Sequence, residues 1–320
     1  MRVPHLIFVC LAGAAASCVG TVAWPQNYPA KPIRIVTSEP GGSADVATRT
    51  ISQAIAAPLG QPIIVENHPG GIIVAETVAK ANPDGYTLLY AGTSFMFGPF
   101  FQKTPYDPVK DFAPITIIAK SPAVLVVPSS LPVKSVTELI ALAKAKPGAL
   151  NYASATIGSG THLSMELFKS AAGINVVRIS YKGGGPALTG LLSGEAQMMI
   201  YAPGLVAPHL KAGTLRALGV TSSEPSPLAP GMPTLAATGL PGFVWVTMDG
   251  MWAPARTPAA VINRLNREIV RVLNTPEVRE RFFIGGAETA GSSPDALTAS
   301  MKTDLARVGK VISALGIRAQ

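Results

Sequence analysis

The chain has 320 residues, of which 48% are hydrophobic and only 14% are charged, which excludes a disordered or coiled-coil protein. Its net charge is +8, from 26 basic and 18 acidic residues, but no basic run concentrates that charge, so nucleic acid is not indicated as a partner. The 31 glycines and 29 prolines follow no three-residue period, which excludes collagen and indicates many turns.

The N-terminal segment has the layout of a secretory signal peptide. Arg2 precedes an apolar run over residues 6–16, and a small-x-small cleavage site follows at Thr21 to Ala23. The apolar run is too short to span a membrane comfortably, and no later run reaches about 20 residues. We therefore predict a signal peptide over residues 1–23 and a periplasmic location; a buried N-terminal helix is the alternative.

Both cysteines, Cys10 and Cys18, lie inside that segment. A mature chain starting at Trp24 would contain no cysteine, so a hydrophobic core rather than disulfides must stabilise it. The segment around Cys18 loosely resembles a lipoprotein processing site, but Ala15 stands where leucine is usual. Lipid anchoring at Cys18 is therefore the less favoured outcome.

Hydrophobic periodicity predicts strands alternating with helices through the rest of the chain. The predicted strands cover residues 33–36, 63–65, 86–90, 123–127, 150–154, 176–181 and 215–221. The predicted helices cover 44–55, 74–80 and 161–172, with others beginning at about 136, 186, 258 and 294. Repeated strand–loop–helix units predict an α/β fold with parallel sheets flanked by helices.

Three loops rich in Gly, Ser and Thr follow predicted strands, at residues 38–45, 92–94 and 154–162. In open parallel sheets, ligands bind beyond the carboxyl ends of the strands. The first and third loops run directly into helices, whose N-termini carry unpaired N–H groups and partial positive charge. Together they favour a site for a carboxylate or another anion, although each loop alone is more typical of tight turns and helix caps.

Glu39 is an unexpected residue beside a predicted anion site, because its carboxylate opposes an anionic ligand. Two interpretations stay open. The side chain points to solvent, or it pairs with an amino or other cationic group of the ligand.

Enzymatic motifs are incomplete. The Gly-x-Ser-x-Gly elbow fails at Asp45, and the glycine-rich loop after Lys182 lacks the P-loop pattern. The histidines of the mature chain, His68, His162 and His209, lack metal-ligand spacing. No catalytic residue, metal or cofactor is predicted. An exported hydrolase that uses a serine, Ser43 or Ser159, remains the alternative and requires a base within hydrogen-bond reach.

Several motifs, in order from Tyr28 to the C-terminal part, carry a family resemblance. They are Pro40-Gly41-Gly42-x-x-Asp45, Asn67-x-Pro69-Gly70-Gly71, Pro83-Asp84-Gly85-Tyr86-Thr87, Gly158-Ser159-x-x-His162, Tyr181-Lys182-Gly183-x-x-Pro186, Pro233-Thr234-Leu235 and Ala253-Pro254-x-x-Thr257-Pro258. The sequence resembles the Bug-type receptors, the extracytoplasmic solute-binding proteins of tripartite tricarboxylate transporters.

The resemblance implies a two-lobed fold of the type II periplasmic-binding-protein kind, each lobe a mainly parallel sheet flanked by helices. Lobe 1 would comprise residues 24–124 and 249–320, and lobe 2 residues 125–248, with crossing strands near 123–127 and 250–254. A monomer would close over a small carboxylate and deliver it to the membrane components of a transporter. A ligand sensor without transport is the further alternative.

The resemblance also implies which residues contact ligand: the Pro-Gly-Gly and Gly-Ser loops bind a carboxylate through backbone N–H groups, hydroxyls and water, and Asp45 caps the first helix. Departures at Glu39, at Tyr201 and in the shortened stretch after Asn67 put the ligand's identity in doubt. The complete predicted site is Glu39, Pro40, Gly41, Gly42, Ser43, Asp45, Ser94, Thr156, Gly158, Ser159, Thr161, His162 and Tyr201.

Overall fold

The computed structural model describes residues 28–69 and 71–314. The predicted signal peptide, with Cys10 and Cys18, lies outside these residues. The strands are β1 (Ile33–Thr37), β2 (Ile63–Asn67), β3 (Thr87–Ala91), β4 (Phe112–Pro122), β5 (Val124–Pro128), β6 (Asn151–Ser154), β7 (Val177–Ser180), β8 (Met199–Tyr201), β9 (Leu215–Val220), β10 (Val246–Pro254) and β11 (Glu288–Thr289).

The helices alternate with these strands along most of the chain. They are α1 (Ser43–Leu59), α2 (Gly71–Ala79), α3 (Thr93–Phe97), α4 (Val136–Ala145), α5 (Gly160–Ala172), α6 (Gly184–Leu192), α7 (Pro203–Lys211), α8 (Ala259–Leu273), α9 (Pro276–Ile284) and α10 (Pro294–Ala314). Within the described ranges, none of them is both long and apolar enough to cross a membrane.

Local sequence signals account for several helix limits. In α1, Ile51, Ile55 and Leu59 recur every four residues and are buried. The helix ends at Gly60, whose left-handed backbone lets its N–H bond the carbonyls of Ala56 and Ala57. The Oγ of Ser135 accepts the N–H of Glu138 at 3.1 Å and begins α4, as the capping-box pattern predicts.

One six-stranded sheet has the order β11-β4-β10-β3-β1-β2. β1 pairs in parallel with β2 and β3, whereas β10 runs antiparallel to both β3 and β4. The remaining strands form an antiparallel sheet, β8-β5-β9, and a parallel pair, β6-β7, linked by a bridge between Tyr152 and Met198.

The predicted α/β class is confirmed, but the description of each sheet as mainly parallel needs a correction. Hydrophobic periodicity predicts neither β4, β8 nor β11, and the resemblance implies only the part of β10 near residues 250–254. These strands add antiparallel pairs, because β4 and β10 carry the chain in opposite directions along the whole of residues 112–122 and 246–254.

The chain leaves the six-stranded sheet between β4 and β5 and returns at the start of β10. Val246 pairs with Pro122 in the larger sheet, while the N–H of Trp245 donates to Thr221 O on the other side. The predicted lobe limits remain a prediction. The polar loops lie after β1, β3 and β6.

Candidate functional site

A cavity of about 310 Å³ lies among the loops at the ends of β1, β3 and β6, beside β10. Its lining is rich in glycine and hydroxyl groups, with one carboxylate and no basic side chain among the residues described. The lining residues are Ser38, Ser43, Ala44, Gly71, Val74, Tyr90, Ala91, Gly92, Thr93, Ser94, Phe95, Gly158, Ser159, Gly160 and Asp249.

Asp45 fastens the loop between β1 and α1. Its Oδ2 accepts the N–H of Gly41 at 2.9 Å, and its Oδ1 accepts Asn67 Nδ2 at 2.9 Å and pairs with Arg49. Asn67 Nδ2 also donates to Ser38 O at 2.6 Å. Gly41 has φ of +79°, a conformation that glycine adopts without strain. The loop therefore has one defined shape.

The hydrogen bond from Arg49, followed by the one from the Gly41 N–H, lowers the pKa of Asp45 to about 2. Asp45 is thus ionised at neutral pH and buried. The expectation that it caps α1 is corrected, because it binds an N–H that precedes the helix and the N-terminus of α1 has no side-chain cap.

The N-terminus of α1 therefore keeps free donors at the cavity. Gly42 N donates to Glu39 O, and the first N–H directed back along the helix is that of Val46, to Gly42 O at 3.0 Å. The N–H groups of Ser43 and Ala44 form no hydrogen bond with the residues that the structure describes. Both residues line the cavity, so these donors are suited to an anion.

Ser94, near the start of α3, also lines the cavity. A Cβ built on Gly71, the first residue of α2, would stand 3.3 Å from the Ser94 Oγ. The close approach brings the Ser94 hydroxyl to the first turn of α2. Ser94 is one of the residues that line the cavity, and its contact with a ligand remains a prediction.

The loop between β6 and α5 uses most of its own donors internally. Gly158 N donates to His162 Nδ1 at 3.1 Å, and Ala155 N donates to Thr161 Oγ1 at 3.0 Å. Ser159 N donates to Thr156 O, while the Ser159 Oγ accepts the N–H of His162 at 3.3 Å. The residues of this loop that line the cavity are Gly158, Ser159 and Gly160.

Arg178, on β7, braces this second loop from outside. Its Nε donates to Ser154 Oγ at 2.7 Å, and its Nη2 donates to Ala155 O at 2.6 Å and Ser180 Oγ at 3.0 Å. The guanidinium is bonded to the protein's own oxygens, so Arg178 holds the loop rather than lining the cavity.

His162 is 2% exposed and lies beneath the same loop. Burial, and then the nearby positive charge of Arg178, lowers its pKa to about 4. The ring is therefore neutral at pH 7, and its Nδ1 accepts the Gly158 N–H. His162 shapes the loop from behind and does not line the cavity.

Asp249 supplies the carboxylate of the cavity wall. It lies on β10, where Gly250 pairs with Ala91 of β3, and its Oδ2 accepts the hydroxyl of Tyr90 at 3.3 Å. Burial raises the pKa of Asp249 to about 6, although the Tyr90 hydrogen bond opposes that shift. A carboxylate in this wall favours ligands that donate a hydrogen bond to it.

The structure brings four predicted residues into the cavity lining: Ser43, Ser94, Gly158 and Ser159. Asp45, Thr161 and His162 hold the two loops in shape instead. Glu39 is exposed outside the lining, and Tyr201 packs against Gly184. Pro40, Gly41, Gly42 and Thr156 belong to the two loops but are not part of the lining. Ligand contact by any of the thirteen residues remains a prediction.

Most of the remaining lining, above all Tyr90 and Asp249, is not predicted from the sequence. A usable signal existed for Asp249, because an acid in the otherwise apolar run Met248 to Trp252 is unusual for a buried strand. Tyr90 gave no comparable signal, since its place at the cavity depends on how the strands assemble, whereas Gly160 lies in the predicted loop at residues 154–162.

For Ser159, the hydrolase alternative lacks its catalytic pair. Ser159 Oγ bonds Thr161 Oγ1 at 3.1 Å and the backbone N–H of His162, while the His162 ring bonds Gly158. Over the described ranges, no group of three or more His, Cys, Asp or Glu side chains could hold a metal ion. The loop geometry is that of a binding site rather than of a nucleophile with its base.

The chain is similar to known receptors along most of its length. The family model described as tripartite tricarboxylate transporter family receptor matches residues 47–317. Protein BugT from Bordetella pertussis is 35% identical over 318 residues, covering 98% of this chain and 96% of that protein.

Two solved structures extend the likeness to the fold. An R. palustris protein, Rpa4515 with adipate, has a TM-score of 0.74 at 32% identity and covers 92% of this chain and 100% of its own. MatC from Rhodopseudomonas palustris with bound malate has a TM-score of 0.70 at 30% identity, covering 89% and 100%. The predicted Bug-type resemblance and two-lobed binding-protein fold are confirmed, and the likeness is to binding receptors rather than to hydrolases.

Proposed function

Because the chain belongs to the tripartite tricarboxylate transporter family of receptors, we propose that it captures a small carboxylate in the cavity between its lobes. It then delivers that ligand to the membrane components of a transporter. Receptors of this family are extracytoplasmic, and export of this chain would use the predicted signal peptide at residues 1–23.

One observation supports the binding role above the others: the free N–H groups at the start of α1 line a cavity to which the described residues contribute no basic side chain. An anion there would be stabilised by backbone donors, the helix N-terminus and the hydroxyls of Ser43, Ser94 and Ser159. Neighbouring proteins have been described with adipate and malate, which are small carboxylates of a size compatible with about 310 Å³.

The cavity also supports a closing movement around the ligand. Ser43 and Ala44 come from the region of the six-stranded sheet, whereas Ser159 and Gly160 come from the loop after β6. A ligand that contacts both regions binds the closed arrangement more tightly than the open one and thereby shifts the population toward it. A transporter can then distinguish the loaded receptor by its shape.

We propose that the lobes meet at the two crossing points, close to the limits 124/125 and 248/249 given by the resemblance. The Trp245 bond to Thr221 and the pairing of Val246 with Pro122 support a second limit about three residues earlier. We further propose a monomer, which light scattering on the purified mature chain would test.

The binding role is tested by a thermal-shift and calorimetry screen of di- and tricarboxylates, amino acids and aromatic acids. A true ligand at 100 times its Kd should add roughly 2.7 kcal/mol to the free energy of unfolding. Ser43→Leu, which fills the cavity from the first residue of α1, should abolish the shift. Ala259→Leu places the same side chain at the exposed first residue of α8 and should leave the shift intact.

A further inference from the structure

Asp249 is the only carboxylate among the described residues that line the cavity. The remaining lining is composed of glycine, hydroxyl and apolar side chains, with Tyr90 as the other titratable group. An acid that faces a carboxylate site has an energetic cost for an anionic ligand, since two negative charges repel. Its presence therefore requires a compensating contact.

The backbone directs this side chain into the cavity. The pairing of β10 with β4 changes register between Asp249 and Gly250, and such bulges re-aim side chains beside binding sites. Across from it, a Cβ on Gly92 would stand 2.1 Å from Asp249 Oδ1. Only a glycine at residue 92 leaves room for the carboxylate in this position.

The two carboxylate oxygens have different surroundings. Oδ2 accepts the Tyr90 hydroxyl at 3.3 Å, while Oδ1 forms no hydrogen bond with any residue in the described part of the chain. Oδ1 lies against Gly92, which is itself part of the cavity wall. Oδ1 is not among the buried side-chain atoms that lack a partner, so it is open to the cavity and a donor group of a ligand can reach it.

On the premise of the proposed function, we infer that Asp249 selects carboxylates that also carry a hydrogen-bond donor, an ammonium or hydroxyl group, placed against its Oδ1. The ligand's carboxylate occupies the free N–H groups at the start of α1, and its donor occupies Asp249 on β10. The preferred substrate class is thus amino and hydroxy acids rather than unsubstituted acids.

The test compares matched acids that share one carbon skeleton. We would measure Kd by calorimetry at pH 7.5 for succinate, malate and aspartate, for glutarate, 2-hydroxyglutarate and glutamate, and for propionate, lactate and alanine. In the series that fits the cavity, the amino or hydroxy acid should bind roughly tenfold more tightly than the unsubstituted acid. The amino and hydroxy members together distinguish a charged donor from a neutral one.

The variant Asp249→Asn sharpens the result. Its Oδ1 can keep the Tyr90 bond, so its amide Nδ2 donates toward the cavity where Asp249 accepts. The preference should disappear or invert in favour of the unsubstituted acid. Asp249→Ala, which removes the contact altogether, should abolish the preference without inverting it. Asp295→Asn, the same change at an exposed site in α10, should leave all affinities unchanged.

The outcomes separate the two proposals. Equal binding of substituted and unsubstituted acids by the unmodified protein overturns the role of Asp249 and leaves the carboxylate receptor intact. A preference that survives in Asp249→Asn and Asp249→Ala overturns it as well. If none of these acids and none of the wider carboxylate screen binds, both proposals fail together.

Discussion

The two loops that meet at the cavity have opposite ways of using their backbone donors. The loop before α1 is fastened by one acid, Asp45, from behind, and the helix begins without a cap. The loop before α5 is filled with internal bonds, and Ser159 caps its helix. The difference teaches that a glycine-rich turn before a helix does not by itself provide an anion site; what matters is whether the protein's own side chains have taken the donors.

The largest effect should follow from removing Asp45, whose carboxylate accepts the hydrogen bonds that stabilise the loop before α1. Asp45→Ala leaves Gly41 N, Asn67 and Arg49 without a shared acceptor and should lower the free energy of unfolding by about 2 kcal/mol, measured by urea denaturation. Carboxylate affinity should fall roughly tenfold, because the donors at α1 lose their fixed direction. Asp295→Ala is the matched exposed control, and an equal loss there would contradict the special role of Asp45.

The next prediction concerns the pH dependence of stability, and it compares His162, which lies behind the second loop, with Asp249 on β10. The folded pKa of His162, about 4, lies below its ordinary value of 6.5, so its contribution to stability is complete above pH 6.5 and is lost as the pH falls toward 4. The folded pKa of Asp249, about 6, lies above 3.8, so its contribution is complete below 3.8 and is lost as the pH rises toward 6.

Between pH 4 and 6 the two slopes therefore oppose each other, so the net change of stability with pH is smaller than either group alone would produce. Relative to the unmodified protein, Asp249→Asn should steepen the rise of stability with pH, and His162→Gln should flatten or reverse it. Chemical denaturation at half-unit pH steps measures both. Identical profiles for all three proteins would show that neither group titrates as its surroundings indicate.

The smallest effect should come from adding an N-cap to α1 and removing the N-cap of α5. Gly42→Ser gives α1 the cap it lacks, in an extended backbone position where the nearest atom to a new Cβ is Glu39 O at 3.5 Å. Stability should rise by a few tenths of a kcal/mol, while carboxylate affinity falls, because the serine takes a donor from the ligand.

Ser159→Ala is the reciprocal change. It should lower stability by about 1 kcal/mol through loss of the cap on α5. A gain of ligand affinity in Gly42→Ser would contradict the assignment of the α1 donors to the ligand. Calorimetric titration beside thermal denaturation gives both quantities for both variants.

Much of this arrangement was predictable from local sequence, and the reason is that local rules govern it. Alternating patterns predicted β1, α1 and β6, and loops rich in Gly and Ser marked the strand ends that meet at the cavity. The position of Asp249 was not predictable, because β10 joins β3 only after more than 150 residues of intervening chain. Likewise, nothing local reveals that the His162 ring accepts the Gly158 N–H, since that bond depends on a folded turn.

The close approach between Gly92 and Asp249 also limits how the cavity can change. A larger residue at 92 would displace the Asp249 carboxylate from its present position, so the two positions are coupled in size. Redesign toward a bulkier or purely anionic ligand would therefore first replace Asp249 by a residue with a smaller side chain, and only then replace Gly92 by a larger residue. In the reverse order, the enlarged residue 92 would contact the Asp249 side chain too closely, in the wall that a new ligand must touch.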